Sequence, residues 1–77
     1  MNNERRKQID EAMGMLHDAL ALIENLASEE QESFDNMPES LQQSDRGTAS
    51  EEAANDLSEA ADNITGTIDT LENAKGE

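Results

Sequence analysis

The chain has 77 residues, of which 19 are Asp or Glu and five are Lys or Arg, so its net charge at pH 7 is −14. A surface this negative repels nucleic acid and anionic membranes and attracts basic proteins. The chain has no cysteine and no apolar run near the roughly 20 residues of a membrane span, so we expect one small domain, residues 1–77, in the cytoplasm, with no disulfide and no membrane contact.

The first predicted element is a helix over residues 4–32. Its apolar residues recur in steps of four and three, which places them on one stripe of a helix. The stripe consists of Ile9, Met13, Leu16, Leu20, Ile23 and Ala27. A second set widens it on one side, namely Ala12, Met15, Ala19, Leu22 and Leu26. The far side is mostly acidic, with Glu11 and Asp18 seven residues apart and Glu24 in a neighbouring row.

A linker is predicted over residues 33–48. Asn36 is expected to cap a short turn that includes Pro38, and the segment from Ser44 to Gly47 has the composition of a turn. Thr48 followed by Glu51 is a capping-box pattern, which predicts that the second helix begins at about Ala49. Phe34, the single aromatic residue, either closes the end of the helical bundle or anchors a partner protein.

The second helix is predicted over residues 49–74. Leu57, Ile64 and Leu71 repeat every seven residues, and alanines fill most of the remaining apolar face. Acidic residues occupy the other positions, among them Glu52, Asp56, Glu59, Asp62 and Asp69. The short linker forces two such helices to lie antiparallel, so the sequence predicts an all-α helical hairpin.

The two predicted helices carry unequal apolar faces. An alanine-rich second helix is too thin to cover the wide leucine-rich face of the first, so we expect the surplus to contact a second copy of the chain. The expected assembly is a dimeric four-helix bundle with the first helices at its centre. The residues predicted to mediate self-association are Ile9, Met13, Leu16, Leu20, Leu22, Ile23 and Leu26.

The segment between the helices carries a resemblance. Residues 31–47, which read QESFDNMPESLQQSDRG, followed by an acidic Ala/Leu helix, resemble a family of short acidic helical proteins from bacteriophages and prophages. The resemblance implies a bacterial host cytoplasm and an accessory role. It implies no activity for any single residue.

No residue pattern points to catalysis, a cofactor or a metal. The single histidine, His17, has Met13, Gly14, Leu20 and Ala21 at helical ligand spacing, and none of these can bind a metal. The residues after Asp35 do not match a calcium loop. The carboxylates lie on predicted solvated faces without an apolar pocket, so we expect no enzyme activity.

Two functions from different classes fit this pattern. In the first, the protein inhibits a basic or nucleic-acid-binding host protein by binding it through rows of carboxylates that mimic nucleic acid. In the second, it is a structural module whose role is helix-mediated assembly. The predicted partner-binding residues are Glu11, Asp18, Glu24, Phe34, Glu52, Asp56, Glu59, Asp62 and Asp69.

Overall fold

The computed structural model describes residues 1–76 and contains three helices in this part of the chain. Helix α1 spans Asn3–Asp35, α2 spans Glu39–Gln42 and α3 spans Asp45–Lys75. Helix α1 packs along α3, and the molecule is a rod with extents of 58 × 15 × 14 Å. The predicted all-α helical hairpin is therefore confirmed.

Helix α1 is longer than predicted at both ends. The side chain of Asn2 accepts a hydrogen bond from the backbone N–H of Arg5 at 2.8 Å, so the N-terminus is capped. At the other end the helix continues to Asp35, and Asn36 is its C-cap. Asn36 therefore does not cap the following turn, where Pro38 takes that position. Gln42 Nε2 donates to the carbonyl oxygen of Phe34 at 3.0 Å, which satisfies one of the orphan carbonyls of the last turn.

Helix α3 begins at Asp45, four residues before the predicted start. The hydroxyl of Ser44 is the cap, because it accepts from the backbone N–H of Gly47 at 3.4 Å and donates to the carbonyl oxygen of Leu41 at 2.5 Å. The segment predicted to be a turn is therefore the first turn of the helix. Thr48, the predicted cap, lies inside it.

The core of the hairpin is thin and lies on α3. The buried apolar residues are Ala54, Ala61 and Ile68, and no residue of α1 is buried. Buried Ser50 donates a hydrogen bond of 2.5 Å to Glu30 Oε2, so a polar contact joins the helices near the closed end. The single chain thus covers only part of the apolar surface that its sequence provides.

An ionic contact joins the open end of the hairpin. Lys75 Nζ lies 2.8 Å from Asp10 Oδ1 and 3.6 Å from Glu72 Oε2, and Arg6 Nε donates to the carbonyl oxygen of Lys75 at 3.2 Å. The hydrogen bond to Asp10 raises the pKa of Lys75 above its ordinary value of 10.5. Because the folded pKa is raised, this contribution to stability is present below pH 10.5 and is lost as the pH rises through the folded pKa.

Replacing Gly14 or Gly66 with alanine is expected to stabilise the hairpin. Both glycines lie inside helices, and an added Cβ meets nothing within 4 Å. Alanine favours a helix interior by about 1 kcal/mol relative to glycine, so each change should raise the free energy of unfolding by about that amount. Urea denaturation followed by circular dichroism measures the gain. A loss of stability would show that a neighbouring molecule needs the small residue.

Candidate functional site

Five of the predicted partner-binding carboxylates belong to α3. Glu52, Asp56, Glu59, Asp62 and Asp69 are all exposed. At 3.6 residues per turn, Glu52, Asp56 and Glu59 lie on the side of α3 that points away from buried Ala54, Ala61 and Ile68, and Asp62 and Asp69 lie at the edge of that side. We call these five residues the α3 acidic face.

The predicted carboxylates of α1 do not join this face as one surface. Glu11 and Asp18 are exposed and lie on the side of α1 that points away from α3. Each helix therefore carries its acidic row on the outer side of the rod, and the two rows point in opposite directions. A single flat partner surface can contact one row but not both.

Glu24 is the exception among the α1 carboxylates. It lines an open groove between the two helices, with Ala27 and Ser28 on its own side and Ser58, Ala61 and Asp62 on the side of α3. The groove continues toward the closed end past Gln31, Glu32 and Asp35. We call it the acidic groove. It brings Glu24 of α1 to the same side of the rod as Asp62 of the α3 acidic face.

The sequence did not single out several residues of this groove. Ser28 and Ser58 line the groove from the two helices, and Gln31 Nε2 donates to Asp35 Oδ1 at 2.9 Å among the residues that line it. In the sequence, these two serines are visible only as a small polar residue on each helix next to the apolar stripe. They indicate a groove only when it is known which side of one helix faces the other.

The predicted self-association residues divide into two groups. Five of them are half-buried on the side of α1 that meets α3, namely Ile9, Met13, Leu16, Leu20 and Ile23. The other two, Leu22 and Leu26, have exposed fractions of 61% and 42%, and neighbouring Met15 has 71%. The free apolar surface is therefore narrower than the sequence suggested.

These exposed residues form a second apolar row on α1. By helical spacing the row is Ala12, Met15, Ala19, Leu22 and Leu26, and it lies on the side of the rod opposite the acidic groove. Ala53 and Ala60 of α3 lie on that same side, both half-buried. We call these seven residues the apolar flank.

Phe34 is half-buried where α1 meets α2. Its carbonyl oxygen accepts hydrogen bonds from the backbone N–H of Met37 and from Gln42. Met37 is also half-buried, whereas Leu41 is 40% exposed. The backbone at Phe34 thus helps to close the hairpin, and part of its side chain stays accessible.

The described residues contain neither a cluster of metal ligands nor a helix that could span a membrane. His17 is exposed, and within residues 1–76 no group of three His, Asp or Glu side chains is placed to hold a metal ion. None of the helices described for this part of the chain is long and apolar enough to cross a bilayer.

Comparison with known proteins found no matching family model, no matching curated protein and no matching solved structure.

Proposed function

We propose that the chain binds a basic, nucleic-acid-binding protein through the α3 acidic face and the acidic groove, and so inhibits it as a nucleic-acid mimic. The observation that carries the proposal is that no Lys or Arg side chain of the described residues forms an ion pair with these carboxylates. Within residues 1–76 the ion pairs join Lys75 to Asp10 and Glu72 alone. Their negative charge therefore stays available to a basic surface.

The distribution of cations supports the same role. Arg5, Arg6 and Lys7 lie at the start of α1, and Lys75 lies at the end of α3. From Gln8 onward the chain has 18 acidic and two basic residues, a net charge of −16. The middle of the rod is therefore almost free of positive charge, so a basic groove meets little repulsion there.

The dimensions of the rod also suit a groove that is built for nucleic acid. Carboxylates at helical spacings of three and four residues rise by about 5 Å along the axis, which is of the order of the roughly 3.4 Å axial rise per phosphate of one B-DNA strand. The 58 Å rod is as long as about 17 base pairs. A rigid helix presents these charges without the entropy cost of ordering a flexible tail.

The experiment that tests this function is capture of the partner from bacterial lysate on the immobilised chain. We expect a basic, nucleic-acid-binding protein, released when duplex DNA is added in excess. The resemblance to phage proteins makes a bacterial lysate the appropriate source. Recovery of a protein that DNA does not displace would contradict the mimic.

Neutralising the centre of the α3 acidic face should weaken the captured complex. The triple variant Asp56→Asn, Glu59→Gln and Asp62→Asn removes three charges from exposed positions, so helicity should stay intact while the Kd rises by about 10-fold or more. Isothermal titration calorimetry with the captured protein measures the change.

The matched control for this variant neutralises Glu4, Glu11 and Asp18 on the opposite side of the rod. A defined site on α3 predicts a smaller effect for the control. Equal effects would mean that bulk charge acts without a site. Unchanged binding by the α3 variant, together with loss of binding in Leu22→Ala or Phe34→Ala, would show that the contact is apolar.

The exposed apolar side chains favour a second candidate function, that of a helix-mediated assembly module. Met15 and Leu22 have exposed fractions of 71% and 61% on a chain with a core of three buried apolar residues. Exposed apolar side chains that adjoin one another mark interaction surfaces in small soluble proteins. Assembly through this flank leaves the acidic groove on the opposite side open, so the two functions are compatible.

A further inference from the structure

We infer that a second copy of this chain covers the apolar flank, so that two hairpins form a four-helix bundle. The inference names the partner for the assembly role proposed above and rests on that role. It moves the interface from the stripe between Ile9 and Ala27 to the second row of α1. The stripe already packs against α3 within one chain, where its residues are half-buried, whereas Met15, Leu22 and Leu26 of the second row stay exposed.

The exposed area of the single chain supports a missing partner. The chain exposes 5483 Å². The scaling of surface with mass for folded monomers gives about 4,600 Å² for a chain of 8.4 kDa, so the hairpin exposes about 900 Å² in excess. A standard protein interface buries about 800 Å² on each partner. This excess, part of which comes from the elongated 58 × 15 × 14 Å shape, is of the order of the area that one partner loses in a standard interface.

The charge pattern of the flank suits burial. In a chain with 31% charged residues, the α1 row from Gln8 to Leu26 contains none, since it continues as Gln8, Ala12, Met15, Ala19, Leu22 and Leu26. This row extends for about 27 Å along the helix. It can leave water without the cost of burying an unpaired charge.

The sizes of the side chains fit a twofold arrangement. Along each flank, α1 supplies Met15, Leu22 and Leu26, whereas α3 supplies the small residues Ala53 and Ala60. A twofold axis parallel to the rod places α1 of one copy over α3 of the other. Because Glu24 faces Ala61 across the hairpin, Leu22 and Leu26 of one copy then lie at about the level of Ala60 of the other, and large side chains can interdigitate with a small one.

The assembly also accounts for the weak core of the single chain. No residue of α1 is buried in the hairpin, and a domain of this size without disulfides or a structural metal commonly gains stability by oligomerisation. Two copies give α1 two apolar neighbours about a quarter turn apart, as a corner helix of a four-helix bundle requires.

Sedimentation equilibrium of the full chain tests the inference. It compares two variants that carry the same substitution at neighbouring positions. Leu22→Glu places a charge in the flank, whereas Ala21→Glu places the same charge on an exposed residue outside it. We expect a dimer for the wild type and for Ala21→Glu, and a Kd of dimerisation raised by about 100-fold or more for Leu22→Glu. The neutral change Leu22→Ser should raise it by about 10-fold, so a folding defect of the charged variant does not decide the result.

Two outcomes overturn the inference. One is a wild-type chain that stays monomeric at every concentration, and the other is equal dimerisation of Leu22→Glu and Ala21→Glu. Since this experiment contains no other protein, neither outcome bears on the acidic-face proposal. The wild type could also be monomeric while its apolar flank binds a different protein. That result would contradict the second copy as the partner but not the assembly role.

Discussion

Replacing Gly47 with alanine is expected to destabilise the hairpin by about 3 kcal/mol, enough to unfold much of the chain at moderate temperature. Gly47 is buried in the first turn of α3, and a Cβ at this position would overlap the backbone carbonyl oxygens of Leu41 and Gln42. Because these are backbone atoms, the clash is relieved only by moving α2 away from α3. The gain in helix propensity from alanine, about 1 kcal/mol, is smaller than this cost.

Urea denaturation of Gly47→Ala and of Gly14→Ala measures the change in the free energy of unfolding for a matched pair of variants. Both variants add the same methyl group to a helical glycine, one against backbone and one in open space. We expect opposite signs for the change in the free energy of unfolding. A stabilised Gly47→Ala would show that α2 does not pack on the first turn of α3.

Placing a charge at Leu16 or Ile23 is the second change with a large expected effect. Both residues are half-buried on the side of α1 that packs along α3. A glutamate there loses the apolar contact and brings a carboxylate into a partly desolvated interface without a partner, which we expect to cost about 3 kcal/mol. Leu16→Glu and Ile23→Glu should therefore unfold the hairpin as well as dissociate its assembly.

Ala21→Glu is the control for these variants, because Ala21 is exposed on the same helix. Thermal unfolding followed by circular dichroism should give a lower Tm for Leu16→Glu and Ile23→Glu and a nearly unchanged Tm for Ala21→Glu. If Leu16→Glu and Ile23→Glu keep the Tm of the wild type, the stripe from Ile9 to Ala27 does not hold α1 against α3.

The sequence predicted the two long helices because their apolar residues keep a seven-residue repeat, and this signal is local. Its prediction that the second helix begins at about Ala49, with Thr48 as the cap, was wrong, because Ser44 and Thr48 are both suitable caps. The structure uses Ser44, whose hydroxyl also donates to the carbonyl oxygen of Leu41. That choice depends on the packing of α2 against Gly47, which is a tertiary contact and leaves no periodic pattern.

The candidate site was predictable in part for a similar reason. Composition and spacing identified Glu59 and Asp62 as outward residues, and both are exposed. Two further features depend on which side of α1 faces α3. One is that the acidic rows of α1 and α3 point in opposite directions, and the other is that Glu24 and Asp62 line the same groove. The wide apolar arc of α1 is compatible with more than one such side, and the exposure of Met15 and Leu22 in the hairpin shows which side is free.

The apolar flank and the acidic surfaces are proposed to act separately, and the response to salt distinguishes their interactions. Raising NaCl from about 0.1 M to about 1 M shortens the Debye length from about 10 Å to about 3 Å. Screening weakens contacts between exposed charges and leaves apolar contacts in place.

The most direct measurement is sedimentation velocity of the chain together with its captured basic partner at both salt concentrations. We expect the complex to dissociate at the higher NaCl concentration, while the released chain sediments as a dimer. A complex that persists unchanged in about 1 M NaCl would contradict binding through the acidic face and the acidic groove.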